Sequence, residues 1–282
     1  MRQLIKRIIS GMGYELRRAP RDPLPFIRKF RRGDLAFEFW IADKMSEGWY
    51  TQEKLQTSPE FTALLNLLKP GDRVLEIGSH QGFYAMLMAC AVRPTGYVLG
   101  LEAVPFNALV AQSQISLNGL GSVCNIRNLA GSDAPGTVLI NNDSNAHINV
   151  TKSWDTIPVP AETGDRVDLE LGPFNVLKID VEGFEGKVLA GCKRLLARKP
   201  KLVIEVHSPF LGAYGSSPEE ILRAIDAPSY EGVLIGRRNG ESSEQYSERY
   251  SEPVPFNLLA VPKGHFNVIL SPREKGEQGA SG

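Results

Sequence analysis

An α/β domain built on a parallel sheet with helices on both faces is the fold class this sequence predicts, and three observations carry it. Near-continuous apolar strands alternate with helical patterns from Arg73 onward. Glycine or acidic residues close the strand ends, as in "VLEIGSHQGFYA" (residues 74–85) and "NVLKID" (175–180). The 282 residues are enough to bury a substantial core, and no internal repeat divides them.

Taken in order, residues 34–58, including "FEFWIADKMSEGWYTQEK", are aromatic and mixed and are read as helix plus loop covering one edge of the α/β domain. "PEFTALLNLLKPGD" places Phe61, Leu64, Leu65 and Leu68 on one helical face and stops at Pro70-Gly71. A strand over 73–77 leads to a helix over 83–92, and a strand over 97–101 leads to a helix from 105 to 117. The next strand is read over 123–128. "GTVLINNDSNAHINVTKSWDTIPVP" is rich in β-branched residues, Asn and Ser without a helical period, so short strands and loops over the sheet edge are expected there.

The alternation resumes with a strand over 175–180, the helix "EGKVLAGCKRLLAR" and a strand over 201–207. "SSPEEILRAI" opens a helix with Ser217 as N-cap, Pro218 at the first position and Glu220 placed to close a capping box. "GVLIGRR" and "FNLLAVP", joined by a polar loop, are predicted to pair as an antiparallel hairpin on the sheet edge. The domain organisation is therefore a basic arm with covering helices over 1–58, one α/β domain over 59–265, and a disordered tail over 266–282, where "SPREKGEQGASG" has nothing to bury.

Net charge is zero, but residues 1–32 hold ten Lys and Arg against Glu15 and Asp22, +8, and the rest of the chain balances it with −8. Leu4, Ile5, Ile8, Ile9 and Met12 share one face at helical spacing, so the arm is a candidate amphipathic segment. The plain reading is a solvated arm docked on its own acidic body. The sharper one is contact with an anionic membrane surface or a lipid-linked substrate through residues 1–32. No apolar run approaches the ~20 residues of a membrane-spanning helix, and charges break the core a signal peptide needs. The expected location is cytoplasmic, peripheral at the inner membrane surface if the arm meets lipid. Nothing points to nucleic acid as a partner, and the oligomeric state is left open. Cys90, Cys124 and Cys192 are widely spaced, which argues for reduced core thiols rather than disulfides or a zinc site.

In an open parallel sheet, ligands bind beyond the carboxyl ends of the strands. The residues there are Glu76 to Gly82, Glu102, Asn128 to Ser132, Asp180 to Glu185, and Glu205 with His207. Glu102 ends a strand twenty residues after Gly82, where an acid accepts hydrogen bonds from an adenosine ribose. That much suits either a nicotinamide dinucleotide or S-adenosylmethionine (SAM). The first loop separates them, because a diphosphate needs glycines that bring amides against it, and only Gly78 and Gly82 are present, with His80 between. Glu76 would repel a pyrophosphate and fits an ammonium group. SAM is favoured as cofactor. The alternatives are an NAD(P)-dependent oxidoreductase or epimerase, disfavoured by the absent third glycine, and a non-catalytic SAM-binding module.

"VLEIGSHQGFYA", "GYVLGLEAVPFNALVAQSQISLNG", "NLAGSD", "VLKIDVEGFEGKVLAGC" and "KLVIEVH", in this order and spacing, resemble the FkbM-family SAM-dependent methyltransferases. The resemblance covers roughly residues 60–265, and "KIDVEGFE" is its most specific piece. Family members usually carry Asp at position 76 and Asn at position 80, so Glu76 is a mild change and His80 the larger departure from the pattern. The resemblance implies a Rossmann-like, seven-stranded class I methyltransferase sheet with its last strand antiparallel, and methyl transfer to a hydroxyl oxygen of a saccharide, glycolipid or secondary metabolite. It implies that Glu76, Gly78, Ser79 and Gly82 surround the methionine part of SAM, that Glu102 holds the ribose, and that Ala103, Leu129 and Ala130 flank the adenine. Asp180 would face the methyl group.

Methyl transfer to a hydroxyl needs the acceptor aligned and its proton removed. Asp180, Glu182, Glu205 and His207 are the available bases, with Asp180 and His207 favoured; general-base help is worth ~10²- to 10⁴-fold. The three carboxylates are alternatively a divalent-cation site, but a metal-free site is the expectation. Each residue also has a structural use. Glu182 and Glu185 stabilise a helix N-terminus, and a lone histidine such as His207 commonly caps a strand end. His147 is expected in a loop near the pocket mouth, and Trp40, Trp49 and Trp154 are expected to pack.

Overall fold

The structure is a computed structural model that describes residues 25–141, 148–149, 156–236, 252–256 and 264–273. A hairpin of β1 (Phe26–Arg32) and β2 (Leu35–Ile41) comes first, then α1 (Lys44–Tyr50) and α2 (Pro59–Leu67). The first half of the main sheet comprises β3 (Arg73–Ile77), α3 (Phe83–Val92), β4 (Tyr97–Glu102), α4 (Pro105–Leu117) and β5 (Cys124–Asn128). A small sheet is built from β6 (Ala130–Gly131), β7 (Gly136–Asn141), β8 (Ile148–Asn149) and β9 (Thr156–Glu162), with α5 (Gly164–Leu171) after it. The chain returns through β10 (Val176–Ile179), α6 (Glu185–Ala190), α7 (Lys193–Ala197), β11 (Lys201–Val206), α8 (Ser208–Leu211) and α9 (Pro218–Ala224), and closes with β12 (Tyr230–Gly236), β13 (Val254–Pro255) and β14 (Phe266–Pro272).

The main sheet runs β13-β12-β14-β11-β10-β3-β4-β5. β3, β4, β5, β10 and β11 pair in parallel, and β14 runs antiparallel to both β11 and β12. Apart from the two-residue β13, these are the seven strands with a reversed last strand that the family resemblance implies. Strand order reverses between β3 and β10, which creates a crevice at their carboxyl ends.

α3, "FYAMLMACAV", has no polar face, and the fold uses that: every residue but Ala91 is buried. A helix apolar all round must be covered on both sides. The sheet covers one, and the hairpin covers the other through rings clustered on Phe83. Phe30 meets Phe83 edge-on at 4.9 Å and Tyr50 stacks on it at 4.8 Å. β2 has a free edge, which α4 satisfies with side-chain amides. Asn118 accepts the Glu38 N–H and donates to its carbonyl, both at 2.7 Å, and Gln114 does the same to Trp40 at 2.8 Å.

Three expectations are corrected. Residues 35–41 are a strand, not helix plus loop, because "LAFEFWI" alternates: Phe37, Phe39 and Ile41 face the core. "FNLLAVP" lies outside the described residues beyond Phe256, whose N–H donates to the Gly232 carbonyl of β12 at 2.9 Å; among the described residues β12 pairs with Val254–Pro255 and, along its whole length, with Phe266–Pro272. That segment falls in the tail expected to be disordered, yet Phe266, Val268, Ile269 and Leu270 are buried and β14 lies inside the sheet rather than at its edge. The helix expected over 185–198 is broken into α6 and α7 at Gly191, whose backbone presses so closely on Ser132 that a Cβ would stand 2.0 Å from its carbonyl oxygen. α5 is an element that the sequence reading lacks; Thr163 caps it by accepting the Arg166 N–H at 3.2 Å.

The short strands expected over 136–160 are present, and His147 and Trp154 lie outside the described residues. The three cysteines are buried and unpaired. No helix among the described residues is long and apolar enough to cross a membrane.

Candidate active site at the strand switch point

The turn after β3 is shaped by close backbone approach. Gly78 has φ of +90°, and a Cβ there would stand 1.8 Å from the Asp180 carbonyl oxygen, so the ends of β3 and β10 can touch only at a glycine. Gly82, at φ of +86°, packs against a second helix. A Cβ there would stand 2.9 Å from Ala111 Cβ of α4, so its absence lets α3 settle on α4, and Gly82 does not line the cavity. Between them His80 adopts φ of +47°. Its N–H donates to Glu102 Oε2 at 2.7 Å, its Nδ1 is 2.9 Å from the Tyr50 hydroxyl, and its ring lies 5.0 Å from that of Trp49. The residue that departs from the family pattern thus ties the turn to Glu102 and to α1.

These elements enclose a cavity of about 340 Å³, within the range of small-molecule sites. Glu76, Gly78, Ser79 and Glu102 line one side, with Ala103, Leu129 and Ala130 beside them. Asp180, Glu182, Glu205 and His207 line the other. Of the residues anticipated from sequence, the structure therefore brings all but Gly82 into one space. Trp49 and Tyr50 contribute from α1, so Trp49 is both a packing residue and part of the wall.

Glu102 is buried at the end of β4, where its two carboxylate oxygens accept the His80 and Val104 N–H groups at 2.7 and 2.8 Å. Burial pushes its pKa up to about 7 against those two hydrogen bonds. Asn128 holds the same turn by donating to the Glu102 and Ala103 carbonyls at 2.9 and 2.8 Å.

Lys178 is a site residue that the sequence reading lacks, although a lysine inside the apolar strand "NVLKID" is the signal that finds it. It pairs in register with Glu76 across β10 and β3. Its buried ammonium is 3.2 Å from Glu76 Oε1 and 3.7 Å from Asp180 Oδ2, over the Tyr84 ring. Burial opposes its charge, but Glu76 and Asp180 outweigh burial and hold its pKa above the usual lysine value. It is the only lysine or arginine in the described cavity wall.

Glu185 also does more than start a helix. It is fully buried, accepts the Gly183 N–H at 3.0 Å, and lies 2.7 Å from His207 Nδ1. His207 Nε2 in turn points at Glu182, Glu205 and Asp180, 3.4, 3.9 and 3.9 Å away. Burial opposes the imidazolium, yet the Glu185 hydrogen bond and then Glu205, Glu182 and Asp180 raise the His207 pKa to about 10. His207 therefore bonds a carboxylate rather than capping backbone with its side chain. Among the described residues, Asp180, Glu205 and His207 offer ligand atoms within 4.8 Å of one another, a group that could hold a metal ion.

Comparison with known proteins places this geometry in a family. The model of the methyltransferase FkbM domain matches residues 76–232, more than half of the chain. A protein-L-isoaspartate O-methyltransferase of Fervidobacterium nodosum is 39% identical over 56 residues, 20% of this chain and 28% of that protein. Among solved structures, a methyltransferase FkbM from Methylobacillus flagellatus is similar with 16% identity and a TM-score of 0.43, over 71% of this chain and 44% of its own. An O-methyltransferase from Bacillus cereus in complex with SAH has 15% identity and a TM-score of 0.43, over 81% of this chain and 86% of its own. The chain thus spans less than half the length of the first of these structures and just over a quarter of the curated relative. By the domain match and the site it encloses, the chain belongs to the FkbM family of SAM-dependent methyltransferases.

Proposed function

We propose that this protein transfers the methyl group of SAM to a hydroxyl oxygen of a saccharide, glycolipid or related secondary metabolite. The observation that carries the reading is the charge of the cavity wall. Glu76, Glu102 and Asp180 face it, and the one lysine is already held between Glu76 and Asp180. A sulfonium with an ammonium group suits such a wall; a diphosphate would meet acids without a free Lys or Arg in the described wall to offset them.

The residues fit SAM part by part. Glu102 would accept the ribose hydroxyls, the Gly78–Ser79 turn would meet the methionine backbone with Glu76 behind it, and Ala103, Leu129 and Ala130 would flank the adenine. Bound SAM supplies a methyl group activated for in-line displacement. The protein's part is to align the acceptor oxygen, exclude water and accept its proton. With His207 held as an imidazolium, proton acceptance falls to the carboxylates beside it, and Asp180 is the one whose backbone meets Gly78 of the turn that carries the cofactor set. Its side chain keeps 28% of its exposure, enough to reach an acceptor.

Two measurements test this. Incubation with isotopically labelled SAM and a metabolite extract should yield a labelled O-methyl product identifiable by mass. Glu102→Ala should abolish SAM binding in calorimetry with the circular dichroism spectrum unchanged, and undiminished affinity in that variant would overturn the assignment.

A further inference from the structure

We infer that the outer face of α4, together with the β1–β2 hairpin beside it, is a docking surface for an anionic lipid bilayer. α4 has thirteen residues, "PFNALVAQSQISL", and none is charged. That is unusual for a helix with a solvent-facing side, where charged residues normally cover the exposed stripe. Its inner face packs on the sheet, but Phe106, Leu109 and Leu117 are 50, 68 and 39% exposed. With Ser113 they succeed one another at spacings of three, four and four residues, so they form one stripe.

The stripe is continuous with the hairpin. Pro25, Phe26, Ile27 and Trp40 line a groove with Ser113 and Leu117, and Ile27 is 51% exposed. Contiguous apolar surface of this kind marks an interaction site, whereas single exposed residues do not. What it meets is indicated by the charge at its border. Arg28, Lys29 and Arg31 of β1 are exposed next to Ile27. Apolar side chains flanked by basic ones match the acyl boundary and phosphate layer of an anionic membrane.

The position of the stripe bears on the substrate. Phe106 starts it, and the adjacent Asn107 lines the catalytic cavity. A bilayer against α4 would lie at the cavity rim, which selects a lipid-linked acceptor among the hydroxyl substrates. That last step rests on the methyltransferase reading; the membrane contact does not.

The test is flotation of the full chain with vesicles of phosphatidylcholine alone and of phosphatidylcholine mixed with phosphatidylglycerol, alongside calorimetry with S-adenosylhomocysteine. The protein should float with the anionic vesicles only, and less so as salt rises. Leu109→Asp should lower the bound fraction about tenfold, and Lys29→Glu with Arg31→Glu should do likewise, while all variants keep their melting temperature and S-adenosylhomocysteine affinity. Equal flotation of Leu109→Asp and the parent, or no flotation at all, overturns the proposal. So does a concentration-dependent dimer that Leu109→Asp abolishes, since the stripe would then belong to a second copy. Flotation without S-adenosylhomocysteine binding would sink the cofactor assignment and leave the surface standing.

Discussion

Glu185 Oε1 lies 2.7 Å from His207 Nδ1, and both residues are buried, His207 in the cavity wall and Glu185 behind it. Breaking a buried charged pair by removing one member leaves the other uncompensated, which typically costs about 3–5 kcal/mol. Glu185→Ala should therefore lower the unfolding free energy by a few kcal/mol in denaturant titration. A variant as stable as the parent would mean that His207 carries no charge in the folded protein.

Glu102 predicts a pH dependence for cofactor binding. Its folded pKa of about 7 lies above the ordinary carboxylate value. Its contribution to folding stability is therefore present below the unfolded pKa and lost as pH rises through about 7. Binding runs the other way, because ribose hydroxyls donate to the ionised carboxylate. S-adenosylhomocysteine affinity should rise about tenfold between about pH 6 and about pH 8 and then level off. Calorimetry on Glu102→Gln should give weaker binding with that slope removed; a slope that survives would assign the titration to another group.

Gly78→Ala should be among the most damaging single changes in the site. The added methyl would sit 1.8 Å from the Asp180 carbonyl oxygen at a φ of +90°, so β3 and β10 must part or the turn must refold. Loss of cofactor binding with a lowered melting temperature is the expected result. Full binding in this variant would show that the turn has slack.

Excess EDTA should leave methyl transfer unchanged. The His207 imidazolium, held at a pKa of about 10, supplies positive charge among Asp180, Glu182, Glu185 and Glu205 at neutral pH. Activity lost in chelator and restored by a divalent ion would assign Asp180, Glu205 and His207 to a cation instead.

What the chain determined without its tertiary structure is local and periodic. The helix over 83–92 was legible because "FYAMLMACAV" is unbroken apolar sequence between a glycine turn and Arg93, and Glu102 was legible because a strand end is visible in a few neighbouring residues. The same locality delivered Gly78, Asp180, Glu205 and His207 as a set of strand ends. The tertiary structure decided which of these ends touch. That β14 enters between β11 and β12, that Lys178 faces Glu76, that Gly82 meets Ala111 rather than the cavity, and that Glu185 lies against His207 are contacts between segments remote in sequence. Side-chain periodicity arises from a few consecutive backbone angles and is written in every short window. A contact partner depends on how whole layers pack, and no short window contains it.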